Sequence, residues 1–201
     1  MPVAKSLLFA LLGLSAFPLA AQTAKGSWLM GGNAHIRYQI DGGRSHWNTD
    51  LNPSAGYFVG NNFALGLGVP LAFSFWKTRP SAYVGTFVNG QAVELTRTVN
   101  SEIGLTLLVR GYFGKGKFRP FLQAQPGFMR QASKVEYRTL PERRYSQSSL
   151  VVSGGPGLSY FITDHVGVEA LLNAAYNEEL PNFPPTSIGL YFGLQFYLPK
   201  K

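Results

Sequence analysis

From Ile188 to Leu198 the chain reads Ile-Gly-Leu-Tyr-Phe-Gly-Leu-Gln-Phe-Tyr-Leu. Side chains alternate across a strand. Ile188, Leu190, Phe192, Leu194, Phe196 and Leu198 therefore share one wholly apolar face, and Gly189, Tyr191, Gly193, Gln195 and Tyr197 share the other. A half-buried strand of a soluble protein also reads this way, so repetition has to decide.

Repetition is present. Eight strands are predicted over roughly 26–38, 50–59, 63–75, 98–113, 118–133, 149–162, 166–177 and 186–198. In the third, Phe63, Leu65, Leu67, Val69, Leu71, Phe73 and Phe75 oppose Ala64, Gly66, Gly68, Pro70, Ala72 and Ser74. In the fourth, Ile103, Leu105, Leu107, Val109 and Phe113 oppose Glu102, Gly104, Thr106, Arg110 and Tyr112. Pro126 and Pro156 fall inside predicted strands, where each removes a ladder donor. With Gly154, Gly155 and Gly157 around Pro156, a bulge or local bend near 154–157 is expected.

The connections alternate in length. Gly60-Asn61-Asn62, Gly114-Lys115-Gly116-Lys117 and Thr163-Asp164-His165 are short turns, whereas 39–49, 76–97, 134–148 and 178–185 are long and polar or Pro-rich. The order places short turns and both termini at one end and long loops at the other, as in transmembrane barrels. Within the second long loop, Asn89-Gly90 separates two strand-like runs and predicts a projecting hairpin.

Composition agrees. Only 14% of the 201 residues are charged, with 15 Phe, 10 Tyr, 23 Gly and no Cys. The last excludes disulfides, Cys-ligated zinc and thiol catalysis. At the N-terminus, Lys5 precedes an apolar stretch from Leu7 to Phe17, then Pro18-Leu19-Ala20-Ala21. This reads as a signal peptide over 1–21, cleaved before Gln22, and leaves a β-barrel domain over 22–201. The net charge of +8 is read as solvated loops or attraction to anionic lipid head groups, since export argues against nucleic acid as a partner.

A soluble barrel buries its apolar face; a membrane barrel turns it to lipid. Here Arg37, Glu102, Arg110, Gln123, Gln125, Glu169 and Gln195 all lie opposite the apolar stripes. Eight strands leave an interior just wide enough for side chains to fill. The reading is an all-β, eight-stranded antiparallel up-and-down transmembrane barrel. Glu102, Arg110 and Glu169, with Arg37, are expected to form one interior polar network that leaves no continuous pore. Aromatic residues near strand ends, among them Trp28, Tyr38, Tyr57, Phe58, Phe118, Tyr160, Phe161 and Tyr197, are expected at the membrane interfaces.

The chain resembles the small eight-stranded outer-membrane β-barrel proteins, the OmpA/OmpX-like group. The resemblance lies in Pro53-Ser54-Ala55-Gly56-Tyr57-Phe58-Val59 before the Asn61-Asn62 turn, Arg119-Pro120-Phe121-Leu122, Gly155-Pro156-Gly157-Leu158-Ser159-Tyr160-Phe161, and the final aromatic strand. It implies a bacterial outer-membrane location, outer-membrane lipids including lipopolysaccharide as surroundings, and the barrel-assembly machinery as a partner. Family members end in an aromatic residue that this machinery reads; here Pro199-Lys200-Lys201 follow Leu198.

Catalytic chemistry finds little footing. The three His residues are His35, His46 and His165, in a strand, a long loop and a short turn, so no shared metal site is expected. Ser45-His46 is the one adjacent Ser–His pair, with no acid assigned to it. No catalytic, cofactor or metal residues are predicted. The expected function is a non-enzymatic surface protein acting through its loops in surface interaction or envelope integrity. The alternatives are a lipid-modifying barrel enzyme and a soluble secreted ligand-binding barrel. Arg138, Arg143 and Arg144 in the third long loop, with Lys77, Arg79 and Arg97 flanking the second, are candidate contacts to lipid phosphates.

Overall fold

The computed structural model describes residues 23–41, 44–78, 85–88, 91–137, 141–177 and 187–199. Its strands are β1 (Trp28–Asp41), β2 (Arg44–Gly60), β3 (Phe63–Gly68), β4 (Leu71–Thr78), β5 (Gly85–Val88), β6 (Gln91–Tyr112), β7 (Phe118–Tyr137), β8 (Arg143–Phe161), β9 (Val166–Asn177) and β10 (Ser187–Leu198). Each wall strand pairs antiparallel with its sequence neighbours, and β1 pairs with both β2 and β10, from Trp28↔Leu198 to Ala34↔Phe192. The sheet therefore closes on itself and leaves no edge around the ring.

The third predicted strand is β3 and β4 together. They keep one register with β2 and with β6 on either side of Val69-Pro70. Pro70 has no N–H to give, yet its carbonyl accepts from Gly104 N at 2.9 Å, and Val69 N reaches Pro53 O at 2.9 Å. Eight wall positions result. β5 stands outside the ring and pairs with β6 from Gly85↔Glu94 to Val88↔Gln91, the two sides of the expected hairpin; Asn89 and Gly90 lie outside the described residues.

Of the bulge or local bend expected at 154–157, the bulge does not occur. β8 keeps one register with β7 throughout, and with β9 on both sides of Gly155-Pro156, where pairing merely lapses. Pro126 interrupts pairing with β6 in the same way. Each proline thus removes a donor on one side without inserting a residue. Gly154 and Gly155 take φ of 154° and 156°, a region open to glycine.

Two of the long connections are shorter than expected. Strand pairing runs from Trp28↔Tyr57 up to Asp41↔Arg44, and from Phe118↔Tyr160 up to Val135↔Arg143. The stretches 39–49 and 134–148 are therefore mostly hairpin arms. Tyr38, Trp47, Val135 and Tyr145 favour strands, and Gly42-Gly43 is a pair suited to a two-residue turn. At about 3.3 Å per residue, the 22 residues of β6 run far beyond the 9–11 that cross a bilayer.

Apolar side chains point outward. Phe192, Leu194 and Phe196 are 61%, 47% and 48% exposed, while Gln195 and Tyr197 are fully buried. Such a belt on a closed barrel, with backbone groups satisfied between strands, is built for hydrocarbon. Trp28 packs on Tyr57 (ring centroids 5.1 Å) and Phe118 on Tyr160 (4.6 Å) at the short-turn end. Phe58, Phe161 and Tyr197 are not interface residues: they turn inward into the buried core with Leu29, Leu108, Phe121 and Leu171.

Candidate functional site

The short-turn half of the barrel is filled. Arg110 on β6 is fully buried and directs one guanidinium nitrogen at both Glu169 oxygens on β9, at 3.0 and 2.8 Å. The same nitrogen donates to Tyr112 Oη at 3.0 Å. Tyr112 and Tyr197 share a hydrogen bond of 2.9 Å, and Tyr197 donates to Glu169 Oε1 at 3.0 Å. The carboxylate is thus met by a cation and two phenols, and its charge is compensated where burial would otherwise be costly. Arg110 also lies over the Phe121 ring, 4.5 Å from its centroid. Phe121 needs that space to be free: a Cβ on Gly157 would stand 2.2 Å from its ring.

Residues 23–27 seal this end from below. Asn62 N donates to Thr23 O, Gly26 N to Phe58 O, and Arg119 to Thr23 Oγ1. Thr23 and Ser27 are buried. Sequence reasoning did not reach this seal, because a short polar segment ahead of the first strand carries no periodicity.

Above the ion pair lies a belt of amides whose orientations follow from Arg110. A guanidinium only donates, so Gln123 presents its oxygen to Arg110, with Nε to Oε1 at 2.9 Å. Gln123 must then offer its amino group, which donates to Gln125 Oε1 at 2.9 Å. Asn52 Nδ2 donates to the same oxygen at 2.6 Å. This leaves Asn52 Oδ1 buried without a partner.

The loop-side half holds a cavity of ≈ 410 Å³, whose lining includes His35, Arg37, Asp50, Asn52, Glu102 and Tyr191. The single network expected of Arg37, Glu102, Arg110 and Glu169 therefore divides in two. Arg110 and Glu169 form the ion pair of the filled half, and Glu102 and Arg37 stand on the cavity wall. Shared inward parity put all four inside. It carries no information about height, and Arg110 lies eight positions beyond Glu102 along β6.

Beyond the cavity, the outward face turns polar. Phe128 and Leu150 are opposite partners and both exposed; next come Arg130 and Ser148. Arg130, which sequence reasoning passed over, faces outward here, and its Nε donates to Ser146 Oγ at 3.1 Å. Arg143 and Arg144 are exposed, and Arg138 and Arg79 lie outside the described residues. Arg144 donates to Glu142 at 2.7 Å, and Lys134 contacts Glu142 at 2.8 Å and Glu136 at 3.0 Å. Glu142 is held below the usual carboxylate range by the hydrogen bonds from Lys134 and Arg144; Lys134 is correspondingly raised. Arg97 lies over Phe75, 5.4 Å from its centroid.

Ser45 and His46 are consecutive residues of β2 and so project to opposite faces. His46 stacks on Trp76 at 3.9 Å, and burial and the nearby Arg37 charge push its pKa down. His165, in the short turn, contacts Tyr197 O at 3.2 Å. Among the described residues no group of three or more His, Cys, Asp or Glu is placed to hold a metal ion.

A family model for the outer membrane protein beta-barrel domain matches residues 6–196. No curated protein sequence matches the chain. Among solved structures it is similar to Ail, the attachment invasion locus protein of Yersinia pestis, with the heparin analogue sucrose octasulfate (10% identity, TM-score 0.48, covering 87% of this chain and 99% of that one). It is also similar to the N-terminal β-barrel domain of Pseudomonas aeruginosa OprF (16%, 0.41, 87% and 98%) and to Neisserial surface protein A (17%, 0.41, 87% and 97%).

Proposed function

The chain belongs to the outer membrane protein β-barrel domain family and resides in the bacterial outer membrane, and from that premise we propose that it is a non-enzymatic surface protein. In this reading the barrel is an anchor, and its contacts are made by the hairpin arms and loops above the lipid belt. The observation that carries it is the contrast between the two ends. The short-turn half is packed shut around Arg110–Glu169, whereas β6, β7 and β8, at 22, 20 and 19 residues, are far longer than the 9–11 residues that cross a bilayer. Function on such a scaffold sits in what the rigid wall holds up. The divergent directions of Ser45 and His46 speak against the lipid-modifying alternative.

The polar collar gives the reading its lipid partner. In this reading the exposed Arg130, Arg143 and Arg144, with Arg138 of the intervening sequence, bind lipopolysaccharide phosphates, for which the guanidinium fork is suited. The test is lipopolysaccharide capture by the full chain refolded in neutral detergent at low salt. Replacing Arg130, Arg138, Arg143 and Arg144 with Gln is expected to weaken capture and leave folding intact; unchanged capture removes the collar's role. Lipid composition of cells with and without the protein is expected to be the same, and an altered acyl pattern would restore the enzyme alternative.

A further inference from the structure

The loop-side cavity uses none of the residues assigned to lipid contact, and its chemistry is one-sided. Four neighbouring strands place one residue each on a single rung: His35 opposite Asp50, Asp50 opposite Ala72, and Ala72 opposite Glu102. Asp50 and Glu102 are thus two strand spacings apart, about 10 Å between Cα atoms. The methyl group of Ala72 is all that stands between them, so both carboxylates overhang the same open space.

Every buried cavity-lining atom without a partner is an acceptor. His35 Nδ1 lies 2.8 Å from Leu190 O; a carbonyl cannot donate, so Nδ1 carries a proton, and in the neutral imidazole Nε2 is the acceptor. That Nε2 is buried and unpartnered, as are Asn52 Oδ1 and Asn173 Oδ1. The Asn52 orientation is dictated from below through Gln125, Gln123 and Arg110. Gln125, 1% exposed, has an unpartnered amide nitrogen under this floor. Asp50 already accepts from Tyr191 Oη at 3.1 Å and from Asn48. Glu102 forms no ion pair among the described residues. The one guanidinium of the lining, Arg37, stands an inward position higher, opposite Asn48, and makes no ion pair with either carboxylate.

Unpartnered acceptors beside two carboxylates that form no ion pair among the described residues leave buried polar atoms short of hydrogen bonds. A guest rich in N–H donors and positively charged satisfies them together. We propose that this cavity is a binding site for a small organic cation bearing primary ammonium groups, held between Asp50 and Glu102 above Ala72. The volume is within the range of small-molecule sites. His35 Nε2 and the Asn52 and Asn173 oxygens take the remaining N–H groups, and Arg37 at the mouth disfavours the guest by like charge.

The test is isothermal titration of the full chain, refolded in a neutral detergent at low salt, with 1,4-diaminobutane, and with 1,4-butanediol as the uncharged comparator. The diamine is expected to bind and the diol not. Glu102→Gln and Asp50→Asn should each weaken binding about tenfold, the scale of losing one charge-assisted hydrogen bond. Ala72→Leu should abolish it by filling the space while keeping both charges. Arg37→Gln should tighten it severalfold. The last result keeps the test decisive even if an acidic variant fails to fold, which retention of heat-modifiable gel mobility reports. Absence of diamine binding at millimolar concentration, equal binding of the diol, or weaker binding in Arg37→Gln overturns the proposal. None of these bears on lipopolysaccharide capture by the collar.

Discussion

Arg110 shows how much one side chain organises. It has only donors, and that fact turns Gln123, then Gln125, then Asn52, while its charge holds Glu169 against Tyr112 and Tyr197. Removing one partner of such a pair leaves an uncompensated buried charge. Arg110→Met is therefore expected to destabilise the barrel by about 3–5 kcal/mol, read as a shift in urea unfolding in lipid vesicles. Replacing both partners, Arg110→Met with Glu169→Leu, should recover part of that loss; no recovery would mean that the phenols and amides, not the ion pair, carry the effect. Steric constraint acts at the same scale. A Cβ on Gly155 would sit 2.0 Å from Leu172 O, so Gly155→Val should prevent closure of β8 on β9. The expected readout is loss of the compact, heat-modifiable gel species, and a normally folded variant would show that the ladder can open there at little cost.

At the scale of the element, the membrane-crossing parts of the strands were legible because a period of two survives in each. Their outer parts were less so. His46 and Asn48 read as loop, yet they stand on a paired strand, since pairing with a neighbour outweighs a polar residue's weak preference. Val69-Pro70 split one wall strand into β3 and β4 although the alternation ran straight through. The site was legible as inward parity alone: which inward residues meet depends on stagger between strands, and stagger is a property of pairs. The β7–β8 hairpin carries its own prediction. Glu142 titrates below its ordinary 4.5 because Lys134 and Arg144 donate to it. Its contribution to hairpin order is present above that value and lost as pH falls through the lowered one. Lys134, raised above 10.5, contributes below that value and ceases to do so as pH rises through the raised one. The cluster is thus intact across neutral pH. Carboxyl NMR titration of Glu142 should give a midpoint below that of a free Glu, and Lys134→Ala should move it upward; an unmoved midpoint would assign the effect to Arg144 alone.

On the scale of the whole molecule, the barrel is packed shut at its short-turn end, and its described residues line a cavity in the other half. The ion pair, the rings of Phe58, Phe121, Phe161 and Tyr197, and the Thr23–Ser27 segment stack over one another at the short-turn end. Such packing leaves no aqueous path, so planar-bilayer recordings are expected to lack large, stable conductance, and its appearance in the unmodified protein would contradict the filled half. The belt outside imposes a different dependence. Phe192 is at the middle of β10 and faces outward, whereas Leu198 faces outward at its end. Burying a guanidinium in hydrocarbon costs about 2–4 kcal/mol at the midplane and about 0–1 near an interface. Phe192→Arg should therefore lower folding stability in lipid vesicles far more than Leu198→Arg. In short-chain detergent, where the hydrophobic layer is thin and deformable, the difference should shrink. Equal costs at the two positions in vesicles would mean that β10 does not cross the bilayer along its length, and the orientation of the barrel would have to be redrawn.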